Sequence, residues 1–182
     1  MGFLNSETII SDSAQAVYDT EFYLFAVLTS KIHMVWVKAV AGRLKTDYRY
    51  SKNICYNTFP FPPITDTKKS ELETHVYAVL EQREKHSEKT LAQLYDPDKM
   101  PEGLRAAHHA LDLAVERCYR KEPFTSDEER LAYLFKLYEK MIAEEERKDT
   151  LFAEGKKKRR KKKNVTWKYL YYEKGNWTKI LT

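Results

Sequence analysis

Gly42-Arg43-Leu44-Lys45-Thr46-Asp47-Tyr48-Arg49-Tyr50-Ser51, closed by Tyr56-Asn57-Thr58-Phe59-Pro60-Phe61-Pro62-Pro63, is the stretch that decides how this chain is read. In an extended strand successive side chains point to opposite faces. On that pattern Lys45, Asp47 and Arg49 share one face, and Thr46, Tyr48 and Tyr50 take the other. A row of donor, acceptor and donor suits base-pair edges in a DNA major groove. There Lys or Arg donates to guanine O6 and N7, and Asp accepts from cytosine N4. Lys45 and Asp47 together then match both partners of one G·C pair. The alternative is a solvated strand face with alternating charges.

Working outward, Asp19 or Thr20 is expected to cap one buried helix running to about Ala41, with Phe22, Phe25, Val27, Leu28, Ile32, Val35, Trp36 and Val40 among its apolar residues. Gly42 then serves as a left-handed stop. Residues 7–18 read as short strands, and Ile54 to Thr58 as a second strand near the first. Pro60, Pro62 and Pro63 remove backbone donors and end the sheet.

From Asp66 the period turns helical. A helix from about Lys68 to Leu94 places Leu72, Val76, Val79, Leu80, Leu91 and Leu94 inward, although Glu81 to Lys89 is almost wholly charged. Tyr95-Asp96-Pro97-Asp98-Lys99-Met100-Pro101 is a turn. A helix over about Glu102 to Tyr119 buries Leu104, Ala107, Leu111, Ala114, Val115 and Cys118. Thr125 or Ser126 caps the next, to about Lys148, with Asp127, Glu128 and Glu129 in the first turn, where the helix dipole favours anions. Three antiparallel helices on short loops predict a bundle. After the basic run Lys156 to Lys163, which reads as a linker or a nonspecific phosphate grip, Val165 to Leu181 carries a hairpin signal around Glu173-Lys174-Gly175-Asn176.

The formal net charge of +5 divides unevenly. Residues 1–65 hold 6 basic and 5 acidic side chains, residues 66–155 hold 15 and 21, and residues 156–182 hold 11 and 1. Within residues 31–52, six basic residues face the single Asp47, a local excess suited to a polyanion. No apolar run reaches the ~20 residues that span a bilayer. The N-terminus lacks a signal-peptide pattern, so a cytoplasmic location is expected. Cys55 and Cys118 are expected as reduced, buried thiols. His108-His109, His75 and His86 lack partners at metal-ligand spacing, and His33 sits on the buried helix, where a core role is expected. Tyr48, Tyr50, Tyr56, Phe59 and Phe61 suit stacking on bases or, preferably, pinning a proline-flanked loop to its domain.

Several longer words resemble one family. Met34-Val35-Trp36-Val37-Lys38-Ala39-Val40-Ala41-Gly42-Arg43-Leu44, Tyr48-Arg49-Tyr50-Ser51 and Tyr56-Asn57-Thr58-Phe59-Pro60-Phe61-Pro62 are similar to the end of the target-recognition domain of MmeI-like single-chain restriction–modification enzymes. Those enzymes belong to the class I S-adenosylmethionine-dependent DNA methyltransferases. Leu94-Tyr95-Asp96-Pro97-Asp98-Lys99-Met100-Pro101, Phe124-Thr125-Ser126-Asp127-Glu128-Glu129-Arg130 and Leu134-Phe135-Lys136-Leu137-Tyr138 resemble that family's C-terminal helical domain. The likeness covers about residues 2–148.

The resemblance implies an adenine-N6 DNA methyltransferase as the parent enzyme, with double-stranded DNA and the rest of that polypeptide as partners. It also implies base reading for Lys45, Asp47 and Arg49, with Arg43, Ser51, Lys52 and Asn53 on phosphates, which orient without specifying. The family's adenine-holding motif is an Asn or Asp, two prolines and an aromatic. Its nearest string here, Phe61-Pro62-Pro63-Ile64, lacks both ends. Five glycines and no glycine-rich loop after a strand leave no expected cofactor site in this chain; S-adenosylmethionine is implied for the missing methyltransferase domain. No catalytic residues, no metal and no activity from this chain alone are expected, and Met1 beside Gly2-Phe3-Leu4 suggests a C-terminal piece from a split or truncated gene.

The expected fold is α+β and mostly helical. A partial target-recognition domain with short antiparallel strands and a buried helix occupies 1–65, a three-helix bundle 66–149, and a basic linker with a β-hairpin tail 150–182. Two functions follow: sequence-specific DNA recognition within a methyltransferase, or a helical docking or regulatory module that touches DNA only through Lys156 to Lys163.

Overall fold

The apolar run after Glu21 makes two helices, not the single one expected. In the computed structural model, which describes residues 1–4, 7–11, 15–17, 20–44, 47–153, 170–173 and 176–179, α1 is Phe22–Thr29 and α2 is Lys31–Val40. They are bent by 57° at Ser30. Ser30 is extended (φ −70°, ψ 157°), so it stops α1 and caps α2. Its hydroxyl donates to Val27 O (2.6 Å) and accepts from His33 N (3.5 Å). A small hydroxyl residue that bonds the backbone locally offers the chain an alternative to a continuous helical ladder. Glu21 rather than Asp19 or Thr20 precedes α1, without a side-chain cap. Among the described residues no single helix is long and apolar enough to cross a membrane.

Gly42 is not a left-handed stop: Ala41, in extended conformation (φ −70°, ψ 141°), ends α2, and Gly42 opens a strand. The organising stretch is not one strand either. It is a hairpin of β1 (Gly42–Leu44) and β2 (Asp47–Arg49), antiparallel, with Gly42 opposite Arg49, Arg43 opposite Tyr48 and Leu44 opposite Asp47.

The predicted strand from Ile54 to Thr58 is instead a single π-helical turn, Lys52–Tyr56. Its backbone is satisfied locally. Asn57 N donates to Lys52 O (2.8 Å), Cys55 N to Ser51 O (2.6 Å), and the Thr58 hydroxyl bonds Ile54 O. It buries only Cys55, whereas a strand would bury alternate residues. The described part of residues 7–18 holds no strand, and Ile9 is 97% exposed.

The predicted helix from Lys68 to Leu94 is broken. α3 (Asp66–Glu84), capped by the Thr65 hydroxyl, ends in turns through the charged run, and α4 (Leu91–Leu94) restarts under a Thr90–Gln93 capping box. α5 (Glu102–Tyr119) falls where expected, and α6 (Asp127–Ala153) begins with Ser126 Oγ accepting from Glu129 N (3.2 Å).

Two compact units result: Glu21–Tyr138, and residues 1–20 with 139–182. In the first, α3 packs on α5 and α1. Its core is not confined to α3, α5 and α6, because Phe25, Val27, Ile32 and Trp36 join one cluster with Leu72, Val76, Val79, Leu104, Leu111, Val115 and Leu134. In the second, β3 (Leu170–Glu173) and β4 (Asn176–Lys179) form a short antiparallel ladder.

Polar ties join the two halves of the larger unit. Tyr119 OH donates to Pro60 O (3.1 Å), Lys69 Nζ lies 2.7 Å from Glu21, and Asp112 of α5 accepts from Lys31 N at the start of α2 (2.7 Å). Burial lifts the Asp112 carboxyl to about 6, against the pull of the Lys31 hydrogen bond. A carboxyl raised above its ordinary value binds its proton more tightly folded than unfolded. Its ionisation therefore lowers stability as pH rises through about 4 to 6. Asp112→Asn keeps an acceptor and removes that penalty; it should match or exceed the parent's stability at pH 7, with a smaller advantage at pH 5. Asp112→Ala, which loses the cap, should cost ~1 kcal/mol. Urea titrations at the two pH values check both.

Candidate nucleic-acid interface

The hairpin's placement follows from α2. β1 leaves that helix through Ala41 alone, whose N–H donates to Val37 O (2.9 Å). β2 returns to it through Tyr50, whose hydroxyl lies 3.2 Å from His33 Nε2. His33 is 1% exposed and meets the edge of Phe59 with ring centroids 4.5 Å apart and planes at 90°. Phe59 in turn touches Trp36 and Phe61. Burial holds the His33 imidazole down to about 4 and pushes the Tyr50 hydroxyl up to about 12, so both are neutral at pH 7. The π-turn closes the exit: Ser51 N donates to the buried Cys55 Sγ (3.4 Å).

Of the residues predicted to read bases, Arg49 is exposed at the end of β2, with Asp47 two positions earlier on the same strand. Lys45 lies outside the described residues. The premise of three charges along one strand gives way to a chain that reverses between Leu44 and Asp47. Of the residues predicted on phosphates, Arg43 is the middle of β1. Ser51 is half-buried, and Lys52 and Asn53 are exposed at the start of the π-turn, where Asn53 accepts from Asn57 Nδ2 (3.5 Å). The hairpin and π-turn thus bring Arg49, Lys52 and Asn53 to adjoining exposed positions in the chain.

Phe59 and Tyr50 pack, and Phe61, 38% exposed, still meets Phe59 and Tyr56 edge-on; Tyr48 is also 38% exposed. The His33–Tyr50 bond has no sequence signal, since its partners stand 17 residues apart on different elements. His108 is also committed, at 2.5 Å from Tyr95 OH, which accepts from Arg83 Nε (2.7 Å).

Residues 1–63 match the family described as the MmeI target recognition domain, and residues 64–145 match that described as the MmeI C-terminal domain. The chain belongs to the MmeI family. It is 52% identical over 141 residues to DNA methyltransferase A of Bacillus subtilis (strain 168), covering 78% of this chain and 16% of that protein. A solved structure of the type IIL restriction–modification enzyme MmeI in complex with DNA superposes with a TM-score of 0.66 at 37% identity, over 69% of this chain and 17% of that one. The chain therefore spans about a sixth of the length of each of these two proteins. Gly42 opens β1, and Gly103 lies within α5 against the Gln82 side chain.

Proposed function

We propose that this chain supplies DNA sequence recognition to an MmeI-like restriction–modification enzyme. The observation that carries the reading is a hairpin with Gly42, Tyr48 and Arg49 exposed, anchored on α2, within the residues that match the MmeI target recognition domain. On this reading Lys45, Asp47 and Arg49 meet base edges. Arg43, Ser51, Lys52 and Asn53 meet phosphates. Transfer of a methyl group from S-adenosylmethionine to adenine N6 belongs to other parts of the cytoplasmic enzyme, and this chain contributes no reacting group.

The test begins with selection of preferred duplexes from a random pool by the full chain. A bidentate base contact is worth ~1–3 kcal/mol of discrimination. Exchanging Lys45 and Asp47 is expected to change preference at one base pair by roughly tenfold or more while leaving binding to bulk duplex in place. A uniform fall on every sequence would refute base reading. If only deletion of residues 156–163 lowers binding, the docking-module reading replaces this one.

A further inference from the structure

We propose that His33 is a positioning residue for recognition: through Tyr50 it fixes the angle at which β2 presents Asp47 and Arg49. The proposal rests on the hairpin reading above and adds a residue that touches no DNA.

A ladder of two three-residue strands is too short to hold its own orientation, so its anchors set it. The first anchor is the Ala41 cap at the end of α2. The second is Tyr50 on His33, eight residues back from Ala41, or ~12 Å along the helix axis. Two anchors this far apart define a direction; one alone leaves a pivot. The His33 ring cannot swing away, because it is enclosed and set edge-on against Phe59, itself 1% exposed. With both groups neutral, one hydrogen bond joins them whichever ring nitrogen carries the proton. His33 Nδ1 has no partner among the described residues, so the imidazole's one hydrogen bond goes to the hairpin.

Arg49 directly precedes Tyr50, so movement at Tyr50 is passed to it without an intervening joint. Base contacts need donor–acceptor distances of ~2.7–3.2 Å and good alignment. Phosphate attraction is far more tolerant of displacement. Loss of the anchor therefore lowers sequence discrimination more than it lowers overall affinity.

Tyr50→Phe, which keeps the ring and removes only the hydroxyl, tests this in the full chain. Amide hydrogen exchange at Gly42–Leu44 and Asp47–Arg49 is expected to speed up ~10-fold, as the loss of one hydrogen bond allows, with α3 and α5 unchanged. The binding ratio of the selected duplex to a scrambled one should fall ~10-fold at constant salt slope. His33→Phe should do the same, and the double variant should add nothing further, since the two act through one bond. Additive effects would mark mere packing and overturn the proposal, as would unchanged exchange and ratio in Tyr50→Phe. Arg49→Ala separates the two levels of argument. If it alters preference while Tyr50→Phe does not, positioning by His33 alone is wrong. If neither alters it, the hairpin reading fails and this proposal falls with it.

Discussion

Arg130→Met is expected to destabilise the chain by ~3–5 kcal/mol, the cost of leaving one member of a buried ion pair unpaired. Arg130 on α6 is 7% exposed and Glu116 on α5 2% exposed, with Nε and Oε1 2.7 Å apart. The guanidinium also bonds Asp127 (3.1 Å) and Phe124 O (3.4 Å). When it is removed, Asp127 keeps Lys31 at 3.2 Å, but Glu116 keeps no ion-pair partner among the described residues. Glu116 Oε2 already lacks a hydrogen-bond partner among the described residues. The single variant therefore strands a carboxylate where water does not reach it. Glu116→Leu combined with Arg130→Met removes both charges, and a pair replaced by apolar side chains of similar volume is commonly neutral or better. The double variant should recover most of the loss. Urea unfolding followed by far-ultraviolet circular dichroism measures the cycle. A single-variant cost below ~1 kcal/mol would show that water reaches the pair.

The same region shows what the sequence carries and what it does not. α5 is legible because Leu104, Leu111, Ala114, Val115 and Cys118 repeat at helical spacing after Pro101. The start of α6 is legible because Ser126 precedes three acidic residues, and Glu129 reaches back to Thr125 N (2.7 Å). Both signals are local. The break at Ser30 is local too, but it is masked by apolar neighbours that would suit one long helix equally well. The break before α4 was marked by Thr90-x-x-Gln93, a capping signature outweighed by the apolar period on either side.

The site was legible in place and not in shape. Alternating polar residues suggest a strand, yet alternation does not say where the chain turns back, and Lys45-Thr46 lacks the Asn-Gly or Asp-Gly signature of a two-residue hairpin connection. The π-turn is harder still. Ile54-Cys55-Tyr56 favours a strand by propensity, but its backbone bonds close locally, Cys55 N to Ser51 O and Asn57 N to Lys52 O, instead of pairing with β2. His33 reads correctly as a core residue, whereas its bond to Tyr50 exists only once α2 and the hairpin are assembled.

Acid should destabilise this chain in part through two histidines that fold without their protons. Burial lowers the His33 imidazole from 6.5 to about 4. Burial, aided by the Arg83 charge, lowers that of His108 to about 4 as well. Each binds a proton more readily unfolded than folded, so the stability it confers is complete above pH 6.5 and is lost as pH falls towards 4. For the enclosed His33 the shift corresponds to ~3 kcal/mol at 1.36 kcal/mol per pK unit. Asp112 works in the opposite sense between about 6 and its ordinary 3.8, so it offsets one of the two rather than both. The net expectation is a stability that falls from pH 7 to pH 4.5, with uptake of protons on unfolding. His33→Gln keeps a hydrogen-bonding group near Tyr50 but does not titrate. Near pH 5 it should take up about one proton fewer on unfolding than the parent, and its stability should depend on pH less steeply. Urea midpoints collected every half pH unit give that slope directly. An identical slope in parent and variant would mean that His33 is already protonated in the folded chain at pH 5, with its Nδ1 reaching solvent.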